Sequence, residues 1–267
     1  MKNQTSSLEF SHFPVMLSEI IKISSPSKGG TFVDCTFGGG GYTKALLKFP
    51  KTKVIGIDRD NSANFIAKKL EQKFKKRFKF YQIRFSDLDK ALTKNVDTII
   101  FDLGLSSIQL KNLKRGFSFN SKSKVDMRMG LNSISAHEVV NSFSLATLND
   151  IFKFFGEERE SFNIAKNIIK ERKKGPILST PDLVEIIKRS KKKDFKKKIN
   201  ISTKTFQAIR IFVNKEFSEL IEGLINATQL IKAGGKIIVV SFHSIEDKIV
   251  KFFFTNYSKN KSKVSRY

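Results

Sequence analysis

The chain has 267 residues, 40% of them hydrophobic, which suits one large domain or one domain with an insertion and excludes global disorder. Its net charge of +25 points to a polyanionic partner, nucleic acid being the common one, although abundant Lys, Phe, Ile and Asn with no Trp also fit a genome-wide compositional bias. A lone cysteine, Cys35, excludes an internal disulfide and a cysteine-rich zinc site; no leader sequence opens the chain and no apolar run approaches the ~20 residues of a membrane span, so a reducing cytoplasm is expected.

Residues 1–11 read as a loose polar tail, and 14–23 as a short amphipathic helix. A Ser/Pro/Gly turn over 24–30 leads into a strand over 32–35. A helix is expected over 42–48, a strand over 54–57, a helix over 62–74, and strands over 78–83 and 96–103. Strands alternating with helices at this spacing predict an α/β fold, a doubly wound, mostly parallel sheet with helices on both faces. The rhythm breaks after Leu105. Helices are expected over 136–142, 145–155, 161–172 and from Thr180, followed by a basic run over 188–198. A long helix over 205–230, a turn over 233–235 and a strand over 236–242 restore the rhythm. The expected organisation is a core of residues 1–105 and 205–267 interrupted by a helical insertion, 106–204.

The first strand ends in Asp34 and runs into Gly38-Gly-Gly-Gly41; the second ends in Asp58. Glycines let backbone approach a ligand without a Cβ in the way. A carboxylate 24 residues past Asp34 is placed to accept from ribose hydroxyls. Two nucleoside cofactors compete for this loop. A dinucleotide prefers G-x-G-x-x-G, whose last glycine would fall on Thr43. S-adenosylmethionine has no phosphate and needs only room. On the fourth strand, Phe101-Asp102-Leu-Gly104 sets an acid at the crevice, there to accept from an amine or to cap the turn. Phe85 is a candidate adenine wall or a core residue.

Together the motifs resemble the RsmH/MraW family of S-adenosylmethionine-dependent methyltransferases, which act on the N4 amino group of a cytosine in 16S ribosomal RNA. The resemblance rests on Asp34-Cys-Thr-Phe-Gly-Gly-Gly-Gly41, Ile57-Asp-Arg-Asp60, Phe101-Asp-Leu-Gly-Leu-Ser-Ser107 with Gln109, Arg115-Gly-Phe-Ser-Phe119, Asp126-Met-Arg-Met129, Gly156-Glu-Glu-Arg159, Thr205-Phe-Gln-Ala-Ile-Arg210 and Ser241-Phe-His-Ser-Ile-Glu-Asp247, in family order. It implies a Rossmann-like class I methyltransferase sheet, with the helical insertion recognising substrate. Cofactor contacts are implied from Gly40, Gly41, Tyr42, Asp58, Phe85, Asp102 and Gln109. Position 42 is usually His in the family, and only a main-chain contact survives that difference. Family members continue past Tyr267 into a basic segment and a final strand.

The resemblance also implies 16S rRNA within the small ribosomal subunit as partner, with no membrane role and no metal. Asp102 is the candidate acceptor for the amine proton, and His243 a candidate base contact or proton relay. His12 and His137 are expected to be structural, and Asp126 and Arg128 to face the RNA or each other. The insertion carries 22 basic and 10 acidic residues, so basic excess remains on the core as well. The residues alone leave open another amine substrate, an RNA-binding protein without catalysis and a nicotinamide enzyme.

Overall fold

The computed structural model describes residues 14–93, 95–191 and 200–258. The expected tail, His12 and most of the 188–198 basic run lie outside them. After α1 (Leu17–Ser24), the chain alternates β1 (Gly30–Asp34), α2 (Gly41–Leu46), β2 (Thr52–Ile57), α3 (Asn64–Lys73), β3 (Phe78–Tyr81), α4 (Leu88–Ala91) and β4 (Val96–Asp102). It then passes through the helical part to β5 (Ile231–Val240) and closes with α12 (Ser244–Ser258). The five strands are all parallel, in the order β3-β2-β1-β4-β5.

The sheet is buried on both faces, which is why its central strands read as unbroken apolar runs. Side chains alternate between faces. Val33, Ile57, Ile99 and Phe101 pack toward Leu220, Leu224 and Phe253, while Phe32, Val54 and Ile100 pack toward Ile20, Leu46 and Leu70.

The insertion holds α5 (Ser107–Lys111), α6 (Ala136–Ser142), α7 (Leu145–Asp150), a π-helical stretch Ile151–Phe155, α8 (Ser161–Arg172) and α9 (Thr180–Ser190). Ser135 and Ser179 start α6 and α9 with capping boxes to Glu138 and Asp182. The apolar cluster of this part runs from Phe117 to Val213. It therefore takes in α10 (Thr203–Asn214), which runs past the expected boundary at residue 204.

Helices α4 and α5 have no counterpart in the expected series, and the helix expected over 145–155 divides into α7 and the π-helical stretch. Two further differences bear on the core. The long helix over 205–230 is broken into α10 and α11 (Glu216–Leu230) by Lys215, whose φ of 52° is left-handed. The break lets the chain pass from the insertion's core to the sheet's. It is held by Asn214, which has no solvent exposure. Its Oδ1 accepts from Met129 N at 2.8 Å and Asn132 Nδ2 at 2.6 Å, and its Nδ2 donates to Met127 O at 2.7 Å and Arg210 O at 2.8 Å. The second difference is in β5. The turn expected at 233–235 is a bulge inside a longer strand, since Val96 pairs with Ile231 and Thr98 with Lys236.

Asn214→Ala leaves several buried polar groups without partners. It should lower stability by about 2–3 kcal/mol in urea unfolding at neutral pH. A change within about 0.5 kcal/mol, the range of an ordinary surface substitution, would show that the junction is held elsewhere.

Candidate active site

Parallel strands deliver their last residues to one edge, and there the glycine loop is tied to both neighbouring strands. Asp102 N donates to Thr36 Oγ1 at 2.8 Å, Phe37 N to Ile57 O at 2.9 Å, and Gly38 N to Asp58 Oδ2 at 2.8 Å. Gly40 has a φ of +71°, and a Cβ there would stand 2.9 Å from the Phe37 ring. A Cβ on Gly41 would stand 2.4 Å from Pro14 Cγ. Both are therefore glycine for reasons of backbone and packing. At Gly39 no atom of the described residues lies within 4 Å of where a Cβ would be, so the loop there faces open space among them.

Three carboxylates line this edge, each pushed up by burial, and each is held differently. Asp34, fully buried, accepts from Thr43 Oγ1 at 2.7 Å and its pKa rises to about 6. Asp58 accepts from Gly38 N and, at 2.8 Å, from Asp60 N, and also rises to about 6. Two backbone donors fix its orientation and leave lone pairs for hydroxyl donors. Asp102 rises to about 7, first through burial and then through the charges of Asp34 and Glu246. Its Oδ1, like Asp34 Oδ1, is buried with no hydrogen-bond partner among the described residues.

The other candidate residues are placed as follows. Tyr42 is 3% exposed and its hydroxyl donates to Val15 O at 2.5 Å. Its ring is core, so what it offers a ligand is main chain. The same hydroxyl is a hydrogen-bonding neighbour of Asp102 and works against the rise that burial gives that carboxyl. Phe85 meets Phe101 edge-on at 5.4 Å between centroids and presses on Gly223 of α11, where a Cβ would lie 2.7 Å from it. Gln109 is engaged at both ends of its amide: Oε1 accepts from Ser106 N at 2.9 Å and Nε2 donates to Asp60 Oδ2 at 2.7 Å. The Ser106-x-x-Gln109 spacing is a capping box, a signal present in the sequence.

His243 stands just before α12. Its Nδ1 accepts from Glu246 N at 3.3 Å, and its Nε2 lies 3.2 Å from Glu246 Oε1. The imidazole thus caps the helix and leans on Glu246, itself only 2% exposed. His137 Nδ1 lies 3.0 Å from Ile177 O inside the helical part. Asp126 and Arg128 face each other in a two-pronged ion pair, with contacts of 2.9 and 2.7 Å.

A link between the edge and the insertion was not apparent from the sequence. Asp60 accepts from Gln109 and, at 2.6 Å, from Arg115. Burial works against its charge, but those hydrogen bonds and one from Ser62 N hold its carboxyl below its ordinary value. Arg59 NH1 donates to Asn214 O at 2.8 Å.

The model of the MraW methylase family matches residues 9–266. The chain belongs to that family. It is 44% identical over 259 residues to a protein of Bartonella bacilliformis named ribosomal RNA small subunit methyltransferase H, covering 96% of this chain and 77% of the relative. A protein of the same name from Ehrlichia canis is 45% identical over 252 residues, covering 91% and 84%. A protein from Streptococcus mutans, solved in complex with SAH, aligns with 33% of this chain and 53% of its own at 19% identity and a TM-score of 0.28. Among the described residues no helix is long and apolar enough to cross a membrane.

The cofactor is S-adenosylmethionine, and the nicotinamide alternative falls. The residues present fit it. Gly39 leaves open space, Asp58 offers a fixed carboxylate to hydroxyls, and Asp102 keeps an unpartnered acceptor.

Asp58→Ala should weaken S-adenosylmethionine binding by about 1–3 kcal/mol, as for a lost charged hydrogen bond; unaltered affinity in calorimetry would remove that carboxylate from the nucleoside's site. Asp102 provides a second expectation. Its native pKa near 7 exceeds the ordinary 3.8, so above both values the folded state bears the cost of a buried charge. That cost fades as pH falls through 7 toward 3.8. Asp102→Asn should therefore raise the Tm of the ligand-free protein at pH 8 and not at pH 4. An equal Tm at both pH values would show that the carboxylate is already neutral or well solvated.

Proposed function

We propose that this chain methylates the N4 amino group of a cytosine in 16S rRNA of the small ribosomal subunit, using S-adenosylmethionine. Three things support the reading: family membership, relatives named for small-subunit ribosomal RNA, and a net charge of +25 suited to a polyanion. The observation that carries the chemistry is the unpartnered Oδ1 of Asp102 at the carboxyl end of β4.

The lone pair of a cytosine amine is delocalised into the ring, so the nucleophile is weak. When bound, S-adenosylmethionine supplies a methyl group already activated on a sulfonium. The protein's task is then alignment of the amine with that methyl, which is proximity catalysis. Asp102 Oδ1 accepts a hydrogen bond from the amine, localises its lone pair as the N–C bond forms, and takes the proton that the nitrogen must release. A carboxylate with a pKa near 7 suits this, because it binds that proton and returns it to water near neutrality. The base must leave its stack to reach the carboxyl edge.

A strain deleted for its own small-subunit enzyme, complemented with this chain, should regain one N4-methylcytidine in 16S rRNA by mass spectrometry; an unchanged spectrum after confirmed expression would refute the reading. With purified protein, the transfer rate at saturating substrates should rise with pH through a midpoint near 7, the ionisation of Asp102. Asp102→Asn should cost roughly 10²–10⁴-fold, the range for a lost general base, and should flatten that step. A full step retained in the variant would assign the ionisation to another group.

A further inference from the structure

We propose that Phe242 is the platform on which the extruded target base stacks, and that it sets the plane in which the amine meets Asp102. The inference rests on the reading of the chain as a nucleobase methyltransferase. It begins with strand order. Across the carboxyl edge, β2, β1, β4 and β5 set out Asp58, the glycine loop, Asp102 and the residues after Val240 in that sequence. The hydroxyl-binding end of the site is at β2. The group to be methylated must therefore enter from the opposite side, over β4 and β5.

Asp102 pairs with Val240 in register, which brings Gly104 level with Phe242. A Cβ on Gly104 would stand 3.5 Å from Phe242 Cδ2, so the ring lies beside that glycine, two residues beyond Asp102. Phe242 is nevertheless 54% exposed. Its backbone is fixed, since Phe242 N donates to Glu246 Oε2 at 2.9 Å and the next residue, His243, caps α12. A large apolar ring is thus held in water at a rigid strand end, and that exposure carries a free-energy cost the fold does not require. Phe154 and Phe252 are also exposed, but in helical segments rather than beside the unpartnered acid.

A phenyl ring can offer a ligand only a π face and apolar area. Every unstacked base has a matching face, so the contact holds a planar ring without choosing among bases. Choice then falls to the acceptor on Asp102, which meets an exocyclic amine and not a carbonyl. The pairing predicts an enzyme for amines on flat aromatic rings and against aliphatic amines such as lysine.

The chain contains no tryptophan, so Phe242→Trp introduces a unique fluorophore at this position. Its emission should be quenched by unmethylated small subunits, and by cytidine 5′-monophosphate in the presence of S-adenosylhomocysteine. Transfer to small subunits should stay within about threefold of wild type for Phe242→Trp. For Phe242→Ala and Phe242→Leu it should fall roughly ten- to a hundredfold in kcat/KM, the range of lost base stacking. Calorimetric affinity for S-adenosylmethionine should be unchanged in all three, which also reports that they are folded. Leu and Ala variants that transfer at the wild-type rate, or Trp emission unmoved by subunits that wild type methylates, would overturn the platform. If wild type methylates no small subunit, the proposed function fails instead. Quenching by the nucleotide then still decides for the platform, and its absence against it.

Discussion

Burying a carboxylate disfavours its charge, and this protein buries one and half-buries two at one edge of its sheet. Asp34, Asp58 and Asp102 end β1, follow β2 and end β4, so a parallel arrangement necessarily gathers them. Each is pushed above its ordinary pKa, chiefly by loss of water. What separates them is their partners. Asp34 is engaged through Oδ2 by Thr43 of α2; Asp58 is oriented by two backbone amides; Asp102 is approached by the Tyr42 hydroxyl, and its Oδ1 has no hydrogen-bond partner among the described residues. One kind of side chain thus stands in three different settings at one edge, each set by what surrounds it.

The same edge is joined to the helical part through residues adjacent to Asp58. Arg59 reaches the carbonyl of Asn214, and Asp60 takes Gln109 and Arg115. Asn214 in turn grips the backbone at Met127 and Met129. Farther along, Glu157 accepts from Ser244 Oγ at 2.9 Å and pairs with Lys248 at 2.8 Å, tying the insertion to α12 just past His243. The insertion is therefore not a tethered appendage. It is attached at both flanks of the edge, beside β2 and beside β5.

Much of this architecture was legible in the chain. The strand–helix rhythm, the interruption after Leu105, and α6 and α8 to their end residues follow from apolar periodicity alone. The break at Lys215 was not legible, because periodicity continues through it and neither Gly nor Pro marks it. It exists because a buried asparagine satisfies loop backbone far away in sequence, which no local pattern encodes. The bulge in β5 was misread for the opposite reason: Ala233-Gly-Gly235 is a strong turn signal, yet Ile231 before it already pairs with Val96 and Lys236 after it pairs with Thr98. In the site, the acids were legible from their position at strand ends. Tyr42, Phe85, Gln109 and His243 were harder, because residue type shows what a side chain is able to bind and not what already occupies it. Two of them carried a local clue in the Ser106-x-x-Gln109 and His243-x-x-Glu246 spacings, both of which are helix caps.

Those caps explain how an open crevice can be rigid. A site that admits a cofactor and a large RNA must leave its mouth uncovered, so it cannot be stiffened by packing over the top. Here each strand end is instead fixed from below and behind. Thr36 secures the backbone of Asp102, Gly38 and Asp60 orient Asp58, the Ser106 box fixes the segment after β4, and His243 with Glu246 fixes the segment after β5. Each device consumes polar groups of the loop itself and leaves the solvent side bare. Two oxygens at this edge escape the pattern: Asp34 Oδ1 and Asp102 Oδ1 are both buried without a hydrogen-bond partner among the described residues. An unpaired buried acceptor calls for an explanation, and of these two residues Asp34 has no solvent exposure while Asp102 is half-buried.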